Sequence, residues 1–168
     1  MVDLPELSIV IPVFNEEINI HPMYDRLLSS LSDKVGSLEI LYVDDGSADA
    51  SWEKISELAT RDPRVRGVRF ARNFGHQAAL TAGVDVARGQ AVVIIDGDMQ
   101  DPPEVIPEMV DRWREGFEVV YGQRESREGE TWFKLATASA FYRILRGITN
   151  VDLSLIHISE PTRPRLVS

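Results

Sequence analysis

The 168-residue chain has no cysteine. That excludes disulfides, thiolate metal sites and a cysteine nucleophile. No uninterrupted apolar run approaches the ~18–20 residues of a bilayer span, and the N-terminus lacks the basic-then-apolar shape of a signal peptide. Basic residues are also scarce where it matters. Lys and Arg total 18 against 27 Asp and Glu, and residues 1–60 hold only 3 bases beside 12 acids. A nucleic-acid binder needs a basic footprint, so no nucleic-acid partner is expected. The acidic first third suits carboxylates gathered around a metal ion. With 43% hydrophobic and 27% charged residues, the chain is an ordinary globular one of about one domain.

Short apolar runs alternate with helical patterns. Strand-like runs occupy Leu7–Val13, Leu38–Val43, Val65–Phe70, Ala91–Ile95 and Val119–Tyr121. Between them, Ile18, Ile20, Leu27, Leu28 and Leu31 recur at helical spacing, as do Trp52, Ile55, Leu58 and Ala59. Gly75–Ala87 reads as a third helix with Leu80, Val84 and Ala87 inward. Pro102-Pro103 opens a fourth, whose regular part begins nearer Pro107 and buries Ile106, Met109, Val110 and Trp113. Trp132–Arg146 is a final amphipathic helix with three bases, no acid and four aromatics. It suits either a membrane interface or a core position. Strand–helix alternation predicts an α/β fold with a parallel sheet covered on both faces.

In such sheets ligands bind beyond the carboxyl ends of the strands. Three polar clusters fall there: Phe14–Glu16, Asp44–Ser47 and Asp96–Gln100. Asp96 and Asp98, separated by one glycine on a turn, can converge on a hard cation and the phosphates it carries. Two adjacent acids at Asp44-Asp45 cost more than helix capping requires. A carboxylate there can accept hydrogen bonds from a base or ribose. Arg124 follows the fifth run and suits bidentate phosphate contact. The segment Arg72–Gln77 leads into a helix whose N-terminus could bind an anion; His76 is expected to be a loop or capping residue. Paired acids at strand ends also occur in receiver-type signalling domains. Those want a lysine just after a late strand, and Lys34, Lys54 and Lys134 are not so placed.

PVFNEE, VDDGS, RNFGHQAALTAG, DGDMQDPP and VVYGQR, in this order, resemble the inverting glycosyltransferases of family 2. The subgroup resembled is the polyprenyl-phosphate glycosyltransferases, which include dolichol-phosphate mannose synthases and bactoprenol glucosyltransferases. The resemblance implies a GT-A fold, a Rossmann-like three-layer α/β/α sandwich with a mostly parallel central sheet. It implies that Pro12, Phe14 and Glu16 line a nucleotide-sugar site, Phe14 standing where relatives carry Tyr. Val43 and Asp45 would hold the nucleoside. Asp96, Gly97 and Asp98 would form the DxD-like element binding Mg²⁺ or Mn²⁺, with Asp98 the direct, catalytic contact and Gln100 a further ligand. Arg124 would face the donor diphosphate. The implied reaction moves a hexose from a UDP- or GDP-hexose to a polyprenyl phosphate at a membrane surface, the cytoplasmic face in a full-length parent. Alternatives are a polysaccharide or other glycan acceptor, and a nucleotide-sugar-binding remnant without turnover. The resemblance places an incomplete catalytic domain at residues 1–152. Residues 153–168 resemble translated sequencing adapter rather than the family pattern, so the fragment is expected to lack the C-terminal anchor and to be soluble.

Overall fold

The computed structural model describes residues 4–122. The element order is β1 (Leu7–Val13), α1 (Ile20–Leu31), β2 (Leu38–Asp44), α2 (Ser51–Arg61), β3 (Val65–Arg69), α3 (His76–Val86), β4 (Ala91–Ile94), a short 3₁₀ turn (Pro103–Val105) and α4 (Ile106–Arg114). The strands form one sheet in the order β3-β2-β1-β4, and every pairing is parallel. β1 and β2 are central and almost wholly buried, which explains why both read as unbroken apolar runs rather than alternating ones.

Side chains on a strand point alternately to the two faces, and the core divides accordingly. On one face Leu7, Ile9, Ile11 and Val13 of β1 join Ile40 and Tyr42 of β2. They meet Ile20, Met23, Leu27 and Leu31 of α1, Ile55 and Leu58 of α2, and Ile106 and Val110 of α4. On the other face Val10, Leu41 and Val43 pack with Ala79 of α3. Gly83 makes that second contact close: a Cβ there would run into the Val10 side chain and touch Val43.

Several expectations are corrected. Val119–Tyr121 is not a strand; Val119 and Tyr121 are exposed, and apolar β-branched composition signals a strand only where a ladder partner exists. Ile18 lies ahead of α1 in a turn closed by the Asn19 N–H on the Glu16 carbonyl, and is exposed. Val84 is exposed because the inward face of α3 runs through Ala79 and Gly83. Coverage of the sheet is also uneven among the described residues. α3 lies over β1 and β2, while Val92 and Ile94 on that face of β4 are 40% and 50% exposed. α4 does begin at Ile106, with Pro107 tolerated in its first turn. The Trp132–Arg146 helix lies outside the described residues. Among the described residues no helix is long and apolar enough to cross a membrane.

Asp62 ties α1 to the start of β3. It accepts the Tyr24 hydroxyl (2.8 Å), the Arg64 backbone N–H (2.9 Å) and the Arg64 guanidinium (2.7 Å at Nη2). The Arg64 guanidinium, working against burial, holds its carboxyl down to about 2. A depressed carboxylate stabilises the fold above its unfolded pKa of ~3.9 and loses that contribution as pH falls through the folded value. Half-exposed Arg64 screens part of the gain. Asp62→Asn should therefore lower urea-unfolding stability by about 1–2 kcal/mol at pH 6, and the deficit should shrink between pH 4 and pH 2.

Candidate functional site

The carboxyl ends of β1, β2 and β4 lie side by side, since the three strands are parallel neighbours. Their following loops therefore gather at one rim. Hydrogen bonds lock the first two loops together. Asn15 sits at φ 57°, a left-handed conformation that Asn tolerates. Its N–H donates to Ser47 Oγ (2.9 Å), and its Oδ1 accepts the Ala48 N–H (2.9 Å). Two residues on the exchange repeats: the Glu17 N–H donates to Asp49 Oδ2 (3.0 Å) and Glu17 Oε2 accepts the Ala50 N–H (2.9 Å). Glu16 is held between them by its N–H on Ser51 Oγ (3.0 Å), while its carboxylate accepts Asn19 Nδ2.

The adjacent acids at the end of β2, Asp44 inside the strand and Asp45 just past it, diverge. Fully buried Asp44 accepts the Ser47 N–H at Oδ1 (3.0 Å). Its Oδ2 makes no hydrogen bond but lies 3.3 Å from Arg69 Nε, an ion pair off hydrogen-bond alignment. Asp45, 3% exposed, turns toward the loop before α3. Its Oδ1 accepts the Phe74 N–H (2.7 Å) and its Oδ2 the Gly75 N–H (2.9 Å). The anion at the entry to α3 is thus supplied by the protein itself. Gly46, at φ 73°, lets the turn press against the backbone of Arg72 and Asn73, where a Cβ would collide.

Between these loops lies a cleft of about 250 Å³. It unites Pro12, Phe14, Glu16, Asp45, Asp96, Gly97 and Asp98, and adds Val13, Asn73, His76 and Ala79. Gly97 packs under the β1 end, with the Pro12 carbonyl 3.0 Å from where its Cβ would stand. Asp98 Oδ1 accepts the Gln100 N–H (3.0 Å) around Met99, which is held at φ 63°. Of the expected site residues, Val43 stands apart: its side chain is buried in the core against α3, below the cleft rather than on its wall. Gln100 is exposed and lies outside the lining. Arg124 lies outside the described residues. Asn73 and His76 were not expected as wall residues. Their sequence signal is polar spacing in a loop, which capping explains equally well.

The glycosyl transferase family 2 profile matches residues 8–160. The chain belongs to this family. This family 2 chain is 51% identical over 150 residues to an uncharacterized glycosyltransferase, YkcC, of Bacillus subtilis, covering 89% of the chain and 46% of that protein. It is 42% identical over 139 residues to the bactoprenol glucosyl transferase of Shigella phage SfV, covering 83% and 45%. The chain thus spans about half the length of the curated relatives it matches. Among solved structures, a mannosyltransferase of Pyrobaculum calidifontis, in complex with GDP-mannose and Mn²⁺, superposes with a TM-score of 0.55 at 24% identity. That match covers 65% of this chain and 32% of that one, and likeness at this level establishes the shared GT-A fold.

Among the described residues, no group of three or more His, Asp or Glu side chains could by itself hold a metal ion. Of the four carboxylates that line the family 2 cleft, Asp45 is bonded to the Phe74 and Gly75 N–H groups and Glu16 to Asn19, and Asp96 and Asp98 stand together on the wall after β4. That donor set fits a hard divalent ion sharing its coordination with phosphates and water, and does not fit a closed protein cage. The loop exchange makes its own prediction. Asn15→Ala leaves the Ala48 N–H without its acceptor and forces a Cβ-bearing non-Asn residue to φ 57°. It should cost about 1–3 kcal/mol in thermal or urea unfolding.

Proposed function

We propose that the cleft binds a nucleotide diphosphate sugar, UDP- or GDP-linked, and that the protein transfers its hexose to a polyprenyl phosphate at a membrane surface. The observation that carries this reading is the meeting of Phe14, Asp96 and Asp98 in one cleft at the carboxyl edge of a parallel sheet. Family membership and relatives named for bactoprenol support the acceptor class.

In this reading Pro12 and half-exposed Phe14 form the apolar wall for the nucleoside. Asp96 and Asp98 would hold Mg²⁺ or Mn²⁺, which supplies charge neutralisation for the departing diphosphate. Gly97, between the two carboxylates, packs under the end of β1, where a side chain would press on the Pro12 carbonyl. Arg124 is assigned to the diphosphate as a bidentate partner. The acceptor is a phosphate monoester, already anionic at neutral pH, so it attacks without a dedicated protein base. Its oxygen forms the new bond to the anomeric carbon as the bond from that carbon to the diphosphate oxygen breaks. The electron pair leaves with the nucleoside diphosphate. Attack from the face opposite the leaving group inverts the anomeric centre. The basic, aromatic segment Trp132–Arg146 is assigned to the membrane interface that delivers the lipid.

The test is calorimetric titration of UDP, GDP and their hexose conjugates with and without Mn²⁺. One nucleotide family should bind in a Mn²⁺-dependent way. Asp98→Ala should weaken binding about tenfold or more with Mn²⁺ present, the scale of one lost charge-assisted contact, and change little without it. Equal Mn²⁺ response in wild type and variant would remove Asp98 from the metal role. Transfer that proceeds on a soluble glycan, with no dependence on lipid phosphate, would replace the proposed acceptor.

A further inference from the structure

The turn that carries Asp96 and Asp98 runs from Ile95, buried just past β4, to Pro103, buried at the head of the 3₁₀ turn. Both of its ends are tied down. The Ile95 N–H donates to the Val10 carbonyl (3.1 Å), and Gly97 lies beneath the end of β1. Past Pro103, Glu104 takes the Arg26 guanidinium of α1 in two bonds, 2.9 Å from Nε and 2.6 Å from Nη2. Between these anchors the sequence is Asp96-Gly97-Asp98-Met99-Gln100-Asp101-Pro102, and Met99 is its only long apolar side chain. Met99 is also the only residue there in the left-handed region, at φ 63°. A side chain seldom settles in that region, because the Cβ crowds the following carbonyl. Asn15, at φ 57°, is fastened there by its own side-chain oxygen. The thioether of methionine is only a weak acceptor and cannot do the same. What holds Met99 is packing: its partly buried side chain lies against the core cluster that β1, α1 and α4 share. A strained backbone of this kind persists only where its surroundings over-determine it.

We propose that Met99 is a positioning residue, an apolar plug whose seat in the core fixes the Asp98 carboxylate on the cleft wall. Met99 sits at the middle of a small ring closed by Asp98 Oδ1 on the Gln100 N–H (3.0 Å). Seating the side chain sets the left-handed backbone, and that backbone closes the ring. The ring in turn holds Asp98 on the wall it shares with Asp96. A hard divalent ion of the Mg²⁺ type tolerates little error in ligand placement. A carboxylate ordered beforehand also spares the cost of ordering it on binding. This role rests on the metal reading of the cleft and adds to it a residue that acts only through Asp98.

The experiment titrates UDP and GDP into the full chain with and without Mn²⁺, and follows amide hydrogen exchange at Gln100 in the metal-free protein. Met99→Leu keeps the apolar volume and should hold the Mn²⁺ enhancement of affinity within about twofold of wild type. Met99→Gly suits the left-handed backbone but removes the plug. It should cut the Mn²⁺ enhancement about tenfold, the scale of a lost outer-shell support, and leave metal-free affinity within about twofold. Exchange at Gln100 should quicken in the same variant. Met99→Ala should show the same losses and stands in if the glycine variant does not fold. A wild-type Mn²⁺ enhancement with unchanged Gln100 exchange in the folded glycine or alanine variant overturns this role alone. An equal loss in Met99→Leu also overturns it, because leucine fills the same space. Nucleotide binding by the wild type that is absent or indifferent to Mn²⁺ overturns the metal reading of the cleft, and this role with it.

Discussion

The rim of this domain depends on side chains serving backbone groups of neighbouring loops. A parallel sheet delivers every strand-to-helix connection to one edge but does nothing to fix their conformations. Here the fixing is done by Asn15 and Glu17, each of which gives an N–H to the β2–α2 loop and takes one back. Asp45 then extends the lock to the loop before α3. These bonds satisfy polar backbone that the sheet's own ladder cannot reach, and an unmet N–H at such a place costs more than a met one gains.

The arrangement separates support from contact. Asp44 and Asp45 are buried and their protein partners are structural, whereas Asp96 and Asp98 are partly open to the cleft. Charge at the rim is therefore of two kinds. One kind organises polypeptide, and the other stays partly open to the cleft, where the proposed metal and phosphates would sit. At the opposite edge of the sheet, buried Glu39 plays only the first part. Burial favours its neutral form, but Ser8, Arg66 and the Arg88 N–H together hold its pKa below the ordinary carboxylate value.

Much of this was legible from residue order. The first four strand-like runs reappear within a residue at each end, because central parallel strands are buried on both faces and announce themselves as unbroken apolar segments. The DGD turn and the Phe14 cluster were placed correctly at one edge, since parallel topology alone dictates it. Val119–Tyr121 failed as a strand because pairing, not composition, makes one. Val84 was put on the wrong side of α3 because the close helix–sheet contact is made by a glycine, which carries no hydrophobic signal. The partners of Asp45 were invisible for a different reason. A carboxylate bound to amides 29 and 30 residues away looks, in one dimension, the same as one awaiting a ligand.

The paired exchange between residues 15–17 and 47–50 also bears on how such a rim can change over evolution. Each loop supplies both the donors and the acceptors that the other lacks, so neither is a free module. Transplanting one of them onto another scaffold strands half of a mating surface; only the matched couple carries its geometry along. Diversification of ligand preference is thereby steered toward positions outside the couple, where a side chain can vary without unfastening its neighbour.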